Sequence, residues 1–202
     1  MFRVILIRPG STAFDEQGRI KGAMDMPLSE VGSNQVIKTA EEIADFRVDM
    51  VYSAPCESAQ QTAAEVAKRC RSKWKVVDTL RNLNHGLWEG KLIDEVRRQQ
   101  PKVYRQVQEH PESICPPGGE TIEDAKTRVK KTLDKWAKKH DAGLVALVIP
   151  EPLASVVKEL LGSDEIGDLW QSECDQAQWE LIESDIEQDT NAADSKSGQL
   201  VR

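Results

Sequence analysis

Arg8 closes the apolar run "VILI" and stands directly before Pro9 and Gly10. A guanidinium at the end of a buried strand needs an anionic partner, because an unpaired charge is costly to take out of water. Its fork of N–H donors suits phosphate or carboxylate equally well. Pro9 offers neither a side-chain lone pair nor a backbone N–H. Few other side chains could do covalent chemistry. Cys56 follows Pro55 at an expected helix start, where a thiolate can be stabilised. No arginine follows it at the spacing of a Cys-x5-Arg phosphate loop, so it reads as a packing thiol. The remaining cysteines, Cys70, Cys115 and Cys174, and the histidines His85, His110 and His140 show no metal-ligand spacing. Neither a metal nor a cofactor is expected.

The elements that must hold these residues follow from periodicity. Residues 2–7 read as a buried strand. Residues 29–46 carry Val36, Ala40, Ile43 and Ala44 at helical spacing. A short strand is expected at 49–53 and a helix over 56–70 behind Pro55. The run "KVVDTL" at 75–80 reads as a third strand. Residues 91–110 read as a polar helical excursion interrupted by Pro101, and "CPPGGE" at 115–120 as a rigid loop. Ile122, Ala125, Val129, Leu133 and Trp136 share one side of a helix over 121–139. The run at 143–149, "GLVALVI", is the most apolar and so the expected central strand. A helix at 153–161 and a last strand at 177–184 complete the domain. Residues 185–202 are polar and small and read as a mobile tail.

Strands alternating with helices predict a three-layer α/β/α sandwich around a mostly parallel sheet, formed by one domain over residues 1–184. Ligands in such folds sit outside the carboxyl ends of the strands. The loops there are 8–12, 53–58, 80–90 and 150–153. The formal net charge of -7 gives no pull toward nucleic acid or an anionic membrane. No apolar run is long enough to span a bilayer, and the N-terminus lacks a signal-peptide pattern, so a cytoplasmic location is expected. The five tryptophans are dispersed and read as core packing.

Five segments in order resemble the histidine phosphatase superfamily, the phosphoglycerate mutase-like fold. They are "RPG" at 8–10 with Thr12, "RIKGAMDMPLSEVGSNQ" at 19–35, "VYSAPCESAQQTA" at 51–63, "LRNLNHGLWEG" at 80–90, and "PPGGET" at 116–121 with Arg128 downstream. The resemblance covers residues 3 to about 161. It implies a phosphoryl-transfer site in which a histidine after the first strand attacks phosphorus. Arginines and a second histidine hold the phosphate, and an acid protonates the leaving oxygen. Such a transition state spreads negative charge over three oxygens and so needs several cationic donors.

At the matching positions this chain departs from the pattern. Pro9 replaces the nucleophile and Ser58 the second arginine. Asn82 replaces an acid, and Glu151, in "VIPEPLAS", replaces the second histidine. Arg8 alone keeps its identity. The family usually has an aromatic residue where His85 stands, so His85 reads as packing. The resemblance therefore implies a catalytically inactive member with a binding or regulatory role. The alternatives are a phosphomonoesterase or phosphoglycerate mutase-like enzyme with an atypical site, and a small-anion sensor around Arg8. No catalytic residue is expected, and the ligand-binding candidates are Arg8, Thr12, Lys21, Ser58 and Glu151. The expected partner is a protein or a small ligand of unknown identity, not nucleic acid and not a membrane. The fold implied by the resemblance puts Arg8 and Glu151 at the ends of neighbouring strands, so the two should meet as an ion pair.

Overall fold

The computed structural model describes residues 2–113, 115–140, 143–162, 166–172 and 176–184. The expected tail at 185–202 and Cys174 lie outside them. Five strands form one sheet: β1 (Phe2–Ile7), β2 (Met50–Ser53), β3 (Lys73–Val76), β4 (Leu144–Val148) and β5 (Trp179–Ser184). Their order is β3-β2-β4-β1-β5. β1, β2, β3 and β4 run parallel, and β5 pairs antiparallel with β1 at the edge. The helices in chain order are α1 (Ala13–Glu16), α2 (Glu30–Glu42), α3 (Glu57–Cys70), α4 (Ile93–Gln99), α5 (Pro101–Glu109), α6 (Ile122–Lys139), α7 (Leu153–Leu160) and α8 (Leu169–Ser172). This is the expected α/β/α sandwich. α2 packs on α3, and α6 packs on α7.

Burial explains the central strands. Every residue of β4 is buried, as are Val4, Ile5, Leu6 and Ile7 of β1. Continuous apolar runs suit strands covered on both faces. α2 and α6 each start at a side-chain cap. Ser29 accepts from the Gly32 N–H and Thr121 from the Asp124 N–H.

Several boundaries differ from expectation. The third strand covers 73–76, not 75–80. Residues 78–80 turn as a 3-10 helix that drops Leu80 into the core. α2 ends at Glu42, four residues early, because the chain turns there to bury Ile43 and to set Phe46 edge-on against Trp179. The excursion at 91–110 is two helices, with Pro101 as the first residue of the second. α1 was not expected. Trp74 is 40% exposed, unlike the other tryptophans, which pack inside or partly inside. Among the described residues no helix is long and apolar enough to cross a membrane.

Candidate functional site

The sheet order decides which side chains meet. β1 lies between β4 and β5, so Arg8, just past the end of β1, is flanked by the loop after β4 and by β5. Glu180 is the register partner of Leu6, and side chains two residues apart in a strand share a face. Glu180 and Arg8 therefore project the same way. Glu151 enters from the other side, in the turn between β4 and α7.

Arg8 and Glu151 do pair. The guanidinium Nε donates to Glu151 Oε1 at 2.7 Å, and Nη1 donates to Glu180 Oε1 at 2.9 Å. The second Glu151 oxygen accepts from the Ser155 N–H at 3.1 Å and from its hydroxyl at 2.8 Å, both in the first turn of α7. The second Glu180 oxygen meets Lys158 Nζ at 2.9 Å. Arg8 and Glu151 are buried, and Glu180 is partly open to solvent. Burial holds the Glu151 carboxyl above its ordinary pKa, against the pull of Arg8 and Ser155. Burial alone would lower the pKa of Arg8, but Glu151 and Glu180 outweigh it and raise it. For Glu180, burial works upward, yet the bonds from Lys158 and Arg8 together hold its carboxyl below the usual range.

The other candidates are also engaged inside the protein. Asn82 is buried and fastens two loops. Its Nδ2 donates to the carbonyls of Gly22 at 2.9 Å and Glu151 at 2.7 Å, while its Oδ1 accepts from the Leu153 N–H at 3.2 Å. A carboxylate could not make the two donations. Thr12 caps α1, exchanging hydrogen bonds with Asp15. Lys21 lies 2.6 Å from the other Asp15 oxygen, which also accepts from Gln176. Ser58 is buried at the start of α3, its N–H donating to the Met26 carbonyl and its hydroxyl 3.7 Å from Cys56 Sγ. Burial pushes the Cys56 thiol up, opposing a reactive thiolate. Pro9 presents only its carbonyl, which accepts from Ala177 N–H. Gly10 is required by close approach, since a Cβ there would run into the Gly32 carbonyl.

At the strand ends cations and carboxylates meet in ion pairs. Arg8, Lys158 and Lys21 are matched by Glu151, Glu180 and Asp15. His85 lines a small apolar cavity of about 20 Å³ with Leu83, Trp88, Val107 and Trp170, room for little more than one water. Among the described residues no group of His, Cys, Asp and Glu side chains could hold a metal ion. Sequence reasoning missed Glu180, Lys158, Ser155 and Asp15. The glutamate in "WELIES" was the available signal, but its direction depends on the antiparallel pairing of β5.

Comparison with known proteins agrees with this geometry at the level of the family. The family model of the histidine phosphatase superfamily (branch 1) matches residues 4–193. The chain belongs to that superfamily. It is 30% identical over 183 residues to Phosphoserine phosphatase 1 of Hydrogenobacter thermophilus, covering 90% of this chain and 86% of that protein. It is 32% identical over 147 residues to Bifunctional protein Rv2228c of Mycobacterium tuberculosis, covering 72% of this chain but only 40% of that longer protein. A mycobacterial glucosyl-3-phosphoglycerate phosphatase, solved with VO3, superposes with a TM-score of 0.77 at 21% identity, covering 89% of this chain and 90% of that one.

Proposed function

We propose that this chain is a phosphatase-fold protein that has given up phosphoryl transfer and acts by binding. The observation that carries the reading is the double engagement of Arg8, with Glu151 Oε1 at 2.7 Å and Glu180 Oε1 at 2.9 Å. In the family pattern the matching arginine faces a phosphate. Here two carboxylates take the Nε–H and an Nη1–H, so an incoming phosphate would meet only the remaining Nη donors and would sit beside two like charges. Pro9 supplies no lone pair for attack on phosphorus. Asn82 carries no transferable proton and spends both its N–H groups on backbone carbonyls. Removing one oxyanion donor typically costs about 3 kcal/mol of transition-state stabilisation, and several are gone together. The same engagement of Arg8 weighs against an anion sensor built around it.

A second reading, an atypical phosphomonoesterase, is favoured by the 30% identity to a phosphoserine phosphatase across nine-tenths of the chain. One experiment separates the two. The purified chain and Arg8→Ala are incubated with para-nitrophenyl phosphate and with phosphoserine, and released phosphate is measured. The binding reading expects equal, background release from both proteins. Release by the native chain that Arg8→Ala abolishes would overturn it, and release from phosphoserine would support the second reading.

A further inference from the structure

A separate surface lies at the far edge of the sheet, and nothing in it depends on whether the pocket is inert. β3 is the edge strand opposite β5. Val77 N–H donates to the Ser53 carbonyl of β2, so Lys73 and Lys75, of the same parity, also turn their backbone groups toward β2. The N–H and C=O groups of Trp74 and Val76 therefore point out along the free edge. An open edge is a template for another strand.

Side chains on the two faces of this edge differ sharply. Lys75 is the register partner of Tyr52, which stacks on Trp136 of α6 with ring centroids 4.0 Å apart. Lys73 is the partner of Met50, two residues earlier. Both exposed lysines thus lie on the face that α6 covers. α6 is turned toward this edge by the Thr132–Thr79 hydroxyl contact at 2.9 Å. Lys135 and Lys139 follow Thr132 on the same side of the helix, and the exposed Lys131 and Lys138 lie next to them. Among the described residues none of these six lysines is in an ion pair. The patch stands out in a chain of net charge -7. On the opposite face of the same edge Trp74, 40% exposed, stands between the two lysines in sequence.

We infer that the β3 edge receives an extended segment of a partner protein with acidic and apolar residues in alternation. The segment adds as a sixth strand, bonding the outward backbone groups of Trp74 and Val76. Its acidic side chains face Lys73, Lys75 and the α6 lysines, and the intervening apolar residues cover Trp74. The spacings agree. Alternate residues of a strand are about 6.7 Å apart, and residues four apart on a helix, such as Lys135 and Lys139, rise about 6 Å. Single-stranded nucleic acid is disfavoured because, among the described residues, no aromatic side chain is exposed among these lysines, and the exposed tryptophan, Trp74, lies on the other face.

The test is fluorescence anisotropy at low salt with a labelled, blocked heptapeptide Glu-Val-Glu-Val-Glu-Val-Glu. A peptide of identical composition with its glutamates and valines in blocks is the control. Saturable binding of the alternating peptide is expected, at least about tenfold tighter than the block peptide and weakened by salt. Lys73→Glu with Lys75→Glu should weaken it about tenfold or more. Val76→Pro, which deletes an outward N–H but no bond to β2, should abolish it in protein that circular dichroism shows folded. Should that variant not fold, amide exchange of the native chain probes the same bonds: the peptide protects Trp74 and Val76 while leaving Lys73 and Lys75 unchanged. Five results would overturn the inference. They are no binding, equal binding of both peptides, indifference to charge reversal, no protection of the outward amides, and tighter binding to single-stranded RNA or phosphatidylserine vesicles than to the alternating peptide.

Discussion

Replacing Arg8 by alanine isolates the energetics of the strand-end cluster. Glu151, with 1% of its side chain exposed, would keep only its two bonds from Ser155. Glu180, 28% exposed at its side chain, would keep Lys158 and lose little. Breaking a buried pair by removing one partner costs about 3–5 kcal/mol, because a charge is left without compensation. At roughly 2–4 °C per kcal/mol for a chain of this size, Arg8→Ala should lower Tm by roughly 6–20 °C at neutral pH. Glu151→Ala should cost about half as much, since Arg8 still holds Glu180. The double variant should be more stable than Arg8→Ala alone, because the orphan carboxylate is gone. The pH dependence has a definite sign. A carboxyl whose folded pKa is raised by burial carries no penalty when protonated in both states, and the penalty grows as pH rises through the folded pKa. The Arg8→Ala deficit should therefore be smallest in acid and largest at neutral pH. Thermal and denaturant unfolding of the native chain, both single variants and the double variant would measure this. An Arg8→Ala protein within about 1 kcal/mol of the native chain at neutral pH, or a double variant weakened by the full sum of the singles, would refute the reasoning.

Two further outcomes are expected. Glu180 has a lowered folded pKa, so its contribution is present at neutral pH and is lost as pH falls through that value; the Tm gap between the native chain and Glu180→Gln should close on acidification below the ordinary carboxylate range. Asn82→Asp should cost about 1–3 kcal/mol, because a carboxylate cannot donate to Gly22 and Glu151 carbonyls and leaves them unsatisfied, and denaturant unfolding would read this as a lower midpoint without a change in slope.

Much of the site was legible because its parts are local. "VILIRPG" announces a buried strand ending on a charge, and "GLVALVIPE" does the same with the opposite sign. Two such strands in a parallel sheet bring their ends to one edge, so a meeting of Arg8 with Glu151 follows from pattern and fold together. The roles of Thr12, Lys21 and Asn82 were not legible. Each is a polar residue near the strand ends, and the chain alone does not tell a side chain waiting for a ligand from one already bonded inside. In the structure Asp15 engages Thr12 and Lys21, and the carbonyls of Gly22 and Glu151 engage Asn82.

The sequence by itself determined the alternation of strands and helices and the absence of an imidazole at Pro9 and Glu151. These are properties of residue type and short-range spacing, written within a few positions of each other. Only the tertiary structure decided that Arg8 has two partners. Glu180 lies 172 residues away and arrives because β5 folds back antiparallel on β1, in a register that puts it opposite Leu6 and on the side where Arg8 projects. A shift of one residue in that register would turn Glu180 to the other face and leave the arginine with Glu151 alone. The free edge at β3 is likewise a matter of strand order: a short lysine-rich run is ordinary as sequence, and becomes a surface only because β2 takes one side of it and no described strand takes the other.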